Sequence, residues 1–467
     1  MTTTRDLDRQ YVFHPFSPAQ AHEQSGAAMM ARSAQGCWIT DDNGKRYLDS
    51  MAGLWCVNAG YGREEIADAM ADQARKLSYF HGFSSMATEP AALLAERVIK
   101  MAPDGFSKVF FGASGSDAND TQVKLVWYYN NARGMPLKKK IISRDRGYHG
   151  VTVMSAGLTG LPGLHAGFDL PLPMIRHVSC PHNLWTRLPG EDDDTFGNRL
   201  AKELDDLIIA EGPDTVGAFI AEPVQGAGGV IVPPAGYFPK IHEVLDRHDV
   251  LLIADEVICG FGRLGVNFGS DALDIRPDLM SVAKGITSGY APLSGVLVGD
   301  KVWQVIASEG AAKYGAFGHG YTYTAHPVMA AAGLANLDLI ERDGLIARAG
   351  EMGEYLQQTL RKAFSDLPIA AETRGHGLVA AVEFARPTGD GWQKFDPGMT
   401  IAPRIVRATL EDGVIARALP NGDAVSFSPP FIITAEEIDL AVSTVRRAAG
   451  SICDALIRDG HLDKTKV

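Results

Sequence analysis

The chain has 467 residues, of which 46% are hydrophobic and 21% are charged, and its formal net charge is −12. This length predicts two or three domains with a large core, and the apolar content excludes disorder as the main state. An acidic chain repels phosphate backbones, so a nucleic acid is a poor partner. The only dense basic run, Lys138-Lys139-Lys140, is too short to change that expectation.

The sequence also favours one compartment. The first ten residues lack the apolar core of a secretory signal, and no apolar run reaches the ~18 residues that a membrane helix needs. Five cysteines, an odd number without a Cys-x-x-Cys pair, argue against a disulfide framework and against a zinc ribbon. We therefore expect a cytoplasmic protein, and we predict no metal ligands.

Helix patterns alternate with short apolar strand patterns along the first two thirds of the chain. Continuous apolar runs bounded by turns are typical of strands that are covered on both faces. Their alternation with helices predicts βαβ units and an α/β fold with a mostly parallel sheet. The predicted elements are a helix over 89–102, a strand over 108–112, a helix over 116–133, strands over 141–143 and 216–221, a helix over 237–247, and strands over 250–254, 279–283 and 293–298.

The pattern changes after about His326. A long helix is predicted over 328–342, and strands over 414–419 and 424–427 flank a hairpin turn at Pro420-Asn-Gly-Asp423. Thr434-Ala-Glu-Glu437 is a capping box that opens a final helix. We predict a large α/β domain over 61–325 and a smaller α+β domain over 326–467, with residues 1–60 packing against the smaller domain.

One glycine pattern requires an explanation. Gly260-Phe-Gly-Arg-Leu-Gly265 matches the Gly-x-Gly-x-x-Gly of dinucleotide-binding folds. The residues that follow do not open a helix, so a pyrophosphate would lack the helix N-terminus that normally binds it. A nicotinamide dehydrogenase is therefore a distant alternative.

A better phosphate site is the segment Gly112-Ala-Ser-Gly-Ser-Asp-Ala118, which joins a predicted strand to a predicted helix. Its small residues let backbone N–H groups approach an anion at the positive end of the helix dipole, and Ser114 and Ser116 add hydroxyl donors. The alternative is an ordinary helix cap with Ser116 as the N-cap residue.

Charged residues end two of the apolar strands. Asp255-Glu256 follows one strand, at the edge where open α/β sheets bind ligands, and Lys284 closes the next. Taken singly, these are equally consistent with a solvated turn and a snorkelling surface lysine. Together with the phosphate site they indicate pyridoxal 5′-phosphate, because a lysine forms a Schiff base with its aldehyde and a carboxylate holds its pyridinium nitrogen.

The chain resembles the class III aminotransferases, which have fold type I of the pyridoxal-phosphate enzymes, over about residues 15–450. The most specific part is Leu-Ile-Ala-Asp-Glu-Val-Ile-Cys-Gly-Phe-Gly-Arg-Leu-Gly over 252–265, followed by Lys284. Within the class, the chain is similar to the ω-amino acid and amine:pyruvate aminotransferases. Supporting segments lie at 52–58, 148–150, 221–226 and 319–322.

The resemblance implies a set of cofactor-binding residues and a homodimer with shared active sites, or a dimer of such dimers. Lys284 would form the Schiff base and move the substrate proton, and Asp255 would keep the pyridine nitrogen protonated. The other implied contacts are Val257 and Tyr148 on the two ring faces, Gly115 and Ser116 at the phosphate, Glu222 near the ring hydroxyl or Asp255, and Thr322 at the phosphate in the neighbouring subunit.

The resemblance also implies substrate contacts. Trp55 and Phe83 would form an aromatic wall together with Tyr148, and Arg417 matches the arginine that binds an α-carboxylate. Ornithine and 4-aminobutyrate enzymes have a glutamate that pairs with this arginine, whereas this chain has Ala227 at that position. This difference favours pyruvate over 2-oxoglutarate as the acceptor.

The predicted reaction is transfer of an amino group from an ω-amino acid or a primary amine to pyruvate, which gives L-alanine and an aldehyde or ketone. A first alternative is a pyridoxal-phosphate aminomutase of the glutamate-semialdehyde type, which moves the amine within one molecule. A second is a non-catalytic binding protein, which the intact Lys284, Asp255 and phosphate segment disfavour. ω-Amino acids, sulfonates, diamines and arylalkyl amines all remain possible donors.

Overall fold

The computed structural model describes residues 2–462. Its strands are β1 (Ala31–Gln35), β2 (Trp38–Asp41), β3 (Arg46–Asp49), β4 (Phe106–Gly112), β5 (Lys140–Arg144), β6 (Ile175–Val178), β7 (Val216–Ala221), β8 (Leu251–Asp255), β9 (Leu279–Val282), β10 (Ser294–Gly299), β11 (Ala370–His376), β12 (Val379–Phe384), β13 (Arg386–Thr388), β14 (Gly391–Gln393), β15 (Val414–Ile415), β16 (Arg417–Ala418) and β17 (Ala424–Phe427).

The helices lie between and around these strands. They are α1 (Thr4–Tyr11), α2 (Ala19–Ser25), α3 (Ala52–Trp55), α4 (Glu64–Lys76), α5 (Glu89–Met101), α6 (Gly115–Ala132), α7 (Val153–Leu158), α8 (Asn183–Thr186), α9 (Asp193–Glu211), α10 (Tyr237–Arg247), α11 (Gly269–Ala272), α12 (Asp300–Val305), α13 (Ala311–Tyr314), α14 (Pro327–Arg342), α15 (Leu345–Phe364), α16 (Ile401–Glu411) and α17 (Ala435–Arg458). Within residues 2–462, no helix is both long and apolar enough to cross a membrane.

A seven-stranded sheet has the strand order β4-β10-β9-β8-β7-β5-β6. The neighbours from β9 to β6 are parallel, whereas β10 is antiparallel to both β4 and β9. The predicted mostly parallel α/β sheet is therefore confirmed, with one reversed strand. Strand β6 was not among the predicted elements, because its four residues include the polar pair Arg176-His177.

Both faces of this sheet are buried under helices. Phe219 and Leu252 belong to a cluster that includes side chains of α9 and α10. Their neighbours Ile220 and Ile253 belong to a second cluster, which includes side chains of α6. Because successive side chains of a strand point to opposite faces, a strand covered on both sides must be apolar throughout. This explains the continuous apolar runs in the sequence.

Three smaller sheets contain the C-terminal strands among residues 2–462, in the orders β1-β2-β3-β15, β11-β12-β17-β16 and β13-β14. The strand predicted over 414–419 is in fact two strands. Val414–Ile415 pairs in parallel with β3, and Arg417–Ala418 pairs with β17 in the predicted hairpin. The single strand was wrong because the chain passes from one sheet to the other at Ala416. The domain boundaries near 60 and 325 stay a prediction.

The structure also decides the predictions for the start of α17 and for the glycine pattern at 260–265. The capping box of α17 is confirmed, since Thr434 Oγ1 accepts the N–H of Glu437 at 3.2 Å and Thr434 N donates to the Glu437 carboxylate at 3.0 Å. The glycine pattern at 260–265 is a turn, and the next helix, α11, begins only at Gly269. Gly265 has φ of +82°, and a Cβ there would lie 2.9 Å from Gly350 Cα of α15. This glycine therefore serves a close backbone packing.

Candidate active site

A cavity of about 330 Å³ lies where five strands of the large sheet end, which is within the usual size of small-molecule sites. Its walls include residues that follow β4, β5, β7, β8 and β9. Nine of the eleven predicted site residues line it, and Phe83 and Thr322 do not. The nine are Trp55, Gly115, Ser116, Tyr148, Glu222, Asp255, Val257, Lys284 and Arg417.

Lys284 lines the cavity two residues after the end of strand β9. It begins a 3-10 turn over Lys284–Ile286 with φ of +45°, a left-handed conformation that is costly for a residue with a Cβ. Such strain persists only where surrounding contacts fix the backbone, and Gly285 and Ile286 are both buried. Burial lowers the pKa of the Lys284 amine. A larger neutral fraction makes this amine a better nucleophile toward a carbonyl group.

Asp255 is held as a carboxylate by two side chains from other elements. His149 Nδ1 lies 2.7 Å and Asn119 Nδ2 lies 2.8 Å from Asp255 Oδ2, and Oδ1 accepts the N–H of Val257 at 3.1 Å. Burial would raise the pKa of Asp255, but the hydrogen bonds and charge of His149, with the bond from Asn119, outweigh it and lower the pKa. Oδ1 keeps a lone pair for a further donor, such as a pyridinium N–H.

The N-terminus of helix α6 forms another part of the cavity wall. Its N-cap residue is Ser114, which accepts the N–H of Asp117 at 3.1 Å, so the proposed cap at Ser116 was wrong by two positions. The N–H groups of Gly115 and Ser116 precede the first intrahelical hydrogen bond and are suited to an anion. The hydroxyl oxygen of Ser116 accepts the N–H of Val151 at 3.1 Å, which leaves its proton available to a ligand.

Glu222 lies buried beside Asp255 and orients two loops. Its carboxylate accepts the N–H of Tyr148 at 2.9 Å and the N–H of Gly226 at 2.8 Å. Burial raises the pKa of Glu222, and the nearby charge of Asp255 adds to this effect. Glu222 therefore fixes the backbone of Tyr148.

Trp55 reaches the cavity through a strained turn. Ala52, Gly53 and Trp55 have φ values of +47°, +65° and +57°, although only glycine adopts such values at little cost. The buried carboxylate of Asp49 accepts the N–H of Gly53 at 2.6 Å and the hydroxyl of Tyr61 at 2.7 Å. These bonds stabilise the conformation that buries the indole. Sequence reasoning did not identify Asp49.

Arg417 enters the cavity at the start of β16. Its Cζ lies 4.8 Å from the centre of the Trp55 ring, and Lys284 Nζ lies 5.3 Å from the same ring. Burial lowers the pKa of Arg417, and within residues 2–462 its Nε has no hydrogen-bond partner. Ala227 also lines the cavity and supplies no carboxylate. The guanidinium is therefore available to an incoming anion.

Phe83 and Thr322 are both absent from the walls of this cavity. The Phe83 side chain is 46% exposed, and a Cβ added to Gly320 would lie 2.9 Å from its Cζ. The carbonyl of Thr322 accepts the hydroxyl of Tyr79 at 2.9 Å. The structure of one chain therefore does not bring these two predicted residues to the site.

Several lining residues were not among the predicted ones. His149 and Asn119 hydrogen-bond to Asp255, and Pro15 and Phe16 bring the N-terminal segment to the cavity. The polar His149 in the Tyr148-His-Gly150 segment was a usable signal. Asn119 lies within a helix pattern and Phe16 precedes the predicted elements, so neither carried a signal without the tertiary structure.

These residues fit pyridoxal phosphate. The cavity combines a buried amine of lowered pKa, an ionised carboxylate with a free lone pair, and a helix N-terminus with two free N–H groups. They match the aldehyde, the ring nitrogen and the phosphate of that cofactor. A Cβ at Gly115 would lie 3.0 Å from Val257 Cγ2, so glycine keeps the anion-binding turn close to the ring position.

Comparison with known proteins agrees with this chemistry. The family model for class III aminotransferases matches residues 19–449. A diaminobutyrate–2-oxoglutarate transaminase of Halomonas elongata is 47% identical over 99% of both chains, and a vanillin aminotransferase of Capsicum annuum is 46% identical over 88% of this chain and 89% of its own. The structure of an ω-transaminase from Pseudomonas jessenii in complex with PMP has a TM-score of 0.92, 44% identity and coverage of 98% of this chain and 99% of its own.

The chain belongs to the class III aminotransferases. It has fold type I of the pyridoxal-phosphate enzymes, with a mixed seven-stranded sheet and a smaller domain. It is a transaminase, and its cofactor is pyridoxal 5′-phosphate.

Proposed function

We propose that this aminotransferase moves an amino group from an ω-amino acid or a primary amine to pyruvate. The supporting observation is the pair Arg417 and Trp55. A guanidinium that lies on an aromatic ring, and whose Nε has no hydrogen-bond partner among residues 2–462, can bind the carboxylate of alanine or pyruvate. It can also stay on the ring when an amine without a carboxylate is bound. One cavity then serves both substrates.

The bound cofactor supplies an electron sink for negative charge at the substrate carbon. The chain supplies the other functions. Lys284 is placed to carry the proton, because its amine lines the cavity and burial lowers its pKa, which makes the amine easier to deprotonate. Asp255 would keep the ring nitrogen protonated, because the hydrogen bonds of His149 and Asn119 keep the Asp255 carboxylate ionised. Gly115 and Ser116 hold the phosphate.

Apolar side chains support amines with a hydrophobic body. Trp55, Tyr148, Leu54 and Phe16 line the cavity, and none of them carries a formal charge at neutral pH. Burial raises the pKa of Tyr148, so its hydroxyl stays protonated. An alkyl or aryl group of the donor would displace water from this wall, whereas the carboxylate of an ω-amino acid would have to bind Arg417 in the same cavity.

The acceptor is tested directly with the holoenzyme. The name of the Halomonas relative includes 2-oxoglutarate, whereas Ala227 supports pyruvate because no carboxylate at that position pairs with Arg417. A panel of amines with pyruvate or 2-oxoglutarate should give higher kcat/KM with pyruvate. Equal or higher values with 2-oxoglutarate would refute pyruvate as the preferred acceptor.

A second test distinguishes the transaminase from the aminomutase. Alanine alone should convert the cofactor to its amine form and release pyruvate. Failure of that half-reaction would favour the aminomutase.

We further propose a homodimer with shared sites, in the cytoplasm. The surface position of Phe83 and Thr322 supports the dimer, because both fit the resemblance only if they serve a neighbouring subunit's cavity. Five unpaired cysteines support a reducing compartment. Light scattering should give the mass of a dimer, and Thr322→Ala should weaken cofactor binding about tenfold, whereas the exposed Ser308→Ala should not. A monomer with full activity would refute this arrangement.

A further inference from the structure

Three side chains capable of binding a metal meet in the N-terminal segment. Asp8 lies on α1, His22 lies on α2, and His14 lies in the connection between them. Their ligating atoms all lie within 4.8 Å of one another. Both histidines direct Nε2 at the same carboxylate, with His14 2.9 Å from Asp8 Oδ1 and His22 3.6 Å from Asp8 Oδ2.

Two atoms of this cluster are buried without a partner. Asp8 Oδ2 and His22 Nε2 are shielded from solvent, and neither forms a hydrogen bond within residues 2–462. Buried polar atoms are nearly always satisfied, so an unpaired nitrogen that faces an unpaired oxygen requires an explanation. The His14–Asp8 hydrogen bond accounts for the other oxygen only. A cation between the three groups would satisfy both orphan atoms.

The spacing fits a small transition-metal ion. With metal–ligand bonds of about 2.0–2.1 Å in tetrahedral geometry, ligating atoms lie about 3.3 Å apart. The two histidine–carboxylate separations, each to a different oxygen of Asp8, lie on either side of that value, and no separation in the cluster exceeds 4.8 Å. Imidazole suits zinc and its neighbours, and two imidazoles with one carboxylate leave a coordination position for water. The side chains of Asp8, His14 and His22 are 15%, 32% and 12% exposed, so an ion enters past His14.

We propose that Asp8, His14 and His22 bind one divalent transition-metal ion of the Zn²⁺ class. The ion ties α1 to α2 and thereby fixes the loop between them. That loop contains Pro15 and Phe16, which both line the active-site cavity. The metal therefore stabilises one wall of the cavity without touching the reacting groups. The cysteine pattern had predicted no metal ligands, and the irregular spacing of these three residues matches no metal motif.

Binding is measured on untagged holoenzyme that has been stripped with a chelator. Equilibrium dialysis against Zn²⁺ should give one ion per chain, and Co²⁺ in its place should give a visible absorbance band. His22→Ala and Asp8→Asn should lower the affinity at least ~10-fold. His461→Ala, at an exposed histidine elsewhere, is the matched control and should bind like wild type. No bound ion in wild type, or equal binding in all four proteins, would overturn the site.

The proposed metal link between α1 and α2 can be tested without an activity assay. Hydrogen exchange in peptides that cover residues 12–18 should slow with Zn²⁺ in wild type and in His461→Ala. It should not change in Asp8→Asn, whose folding is checked by circular dichroism. An ion that binds in the correct stoichiometry but leaves exchange in this segment unchanged would refute the link to the cavity wall.

Discussion

The guanidinium of Arg417 lies over the indole of Trp55, with 4.8 Å between Arg417 Cζ and the ring centre. The Lys284 amine lies 5.3 Å from the same centre, so one aromatic ring contacts the cation proposed for substrate binding and the amine proposed for catalysis. A cation–π contact of this kind contributes about 0.5–2 kcal/mol. This cation–π energy is smaller than that of a desolvated ion pair between the guanidinium and a bidentate carboxylate. An α-carboxylate can therefore replace the Trp55 ring as the partner of Arg417.

Arg417→Ala should separate the two half-reactions. Pyruvate and alanine lose a charge-assisted hydrogen bond of about 1.5–3 kcal/mol, so their apparent affinity should fall roughly ten- to hundredfold. An arylalkyl amine has no carboxylate and should react at nearly the wild-type rate. Single-turnover cofactor absorbance measures each half-reaction, with Arg407→Ala, an exposed arginine on α16, as control. Equal losses for both substrates would assign Arg417 a structural role.

Lys284→Ala should abolish turnover and remove the absorbance band of the protonated Schiff base. The reason is that the cavity offers no other lysine among its lining residues within 2–462. Turnover assays and absorbance spectra with added cofactor check both effects, and Lys362→Ala at an exposed position should behave as wild type. Near-normal turnover of Lys284→Ala would contradict its catalytic role.

Asp255→Asn should bind the cofactor but slow proton transfer by several orders of magnitude. An amide cannot hold the ring nitrogen protonated, so negative charge at the substrate carbon loses its stabilisation. Stopped-flow absorbance after mixing with alanine measures this step. The assigned role of Asp255 would be withdrawn if the variant kept more than about a tenth of the wild-type rate.

Asn119→Ala should move the acid limb of kcat/KM to higher pH. The hydrogen bond from Asn119 helps to lower the pKa of Asp255, so removing Asn119 raises that pKa. Because the catalytic form of Asp255 is the carboxylate, activity is then lost at a higher pH. A charge-assisted hydrogen bond of about 1.5–3 kcal/mol corresponds to about one to two pH units. A pH–rate profile of wild type and variant measures the shift. An unchanged acid limb would show that His149 alone sets the charge state.

Asp49→Asn should destabilise the turn that carries Trp55. The amide replaces one accepting oxygen by a donor, which faces either the Gly53 N–H at Oδ2 or the Met51 N–H at Oδ1 and leaves a buried polar group unsatisfied at a cost of about 1–3 kcal/mol. Denaturant unfolding should show this loss, and KM for aromatic amines should rise as the indole loses its position. Asp42→Asn, at a surface ion pair with Arg5, should change stability by less than about 1 kcal/mol. Comparable stability of both variants would refute the role of Asp49.

The sequence by itself determined the α/β class and the residues at the ends of strands. Apolar runs in β7 to β10 were recognisable because strands buried on both faces have few polar positions. Asp255 and Lys284 were recognisable because each follows such a run. Both features depend only on residues that are close in sequence, so the periodicity of apolar residues and the ends of the apolar runs are enough to predict them.

Tertiary structure decided which distant residues meet. Trp55 and Arg417 lie near opposite ends of the chain, whereas Asn119 and His149 follow two different strands and Asp255 ends a third. Their contacts depend on the strand order of the sheet and on the passage of the chain between sheets at Ala416. No periodicity encodes such pairings, because packing free energy summed over the whole core selects them. The clusters at Asp49 and Asp8 became visible only once that packing had formed.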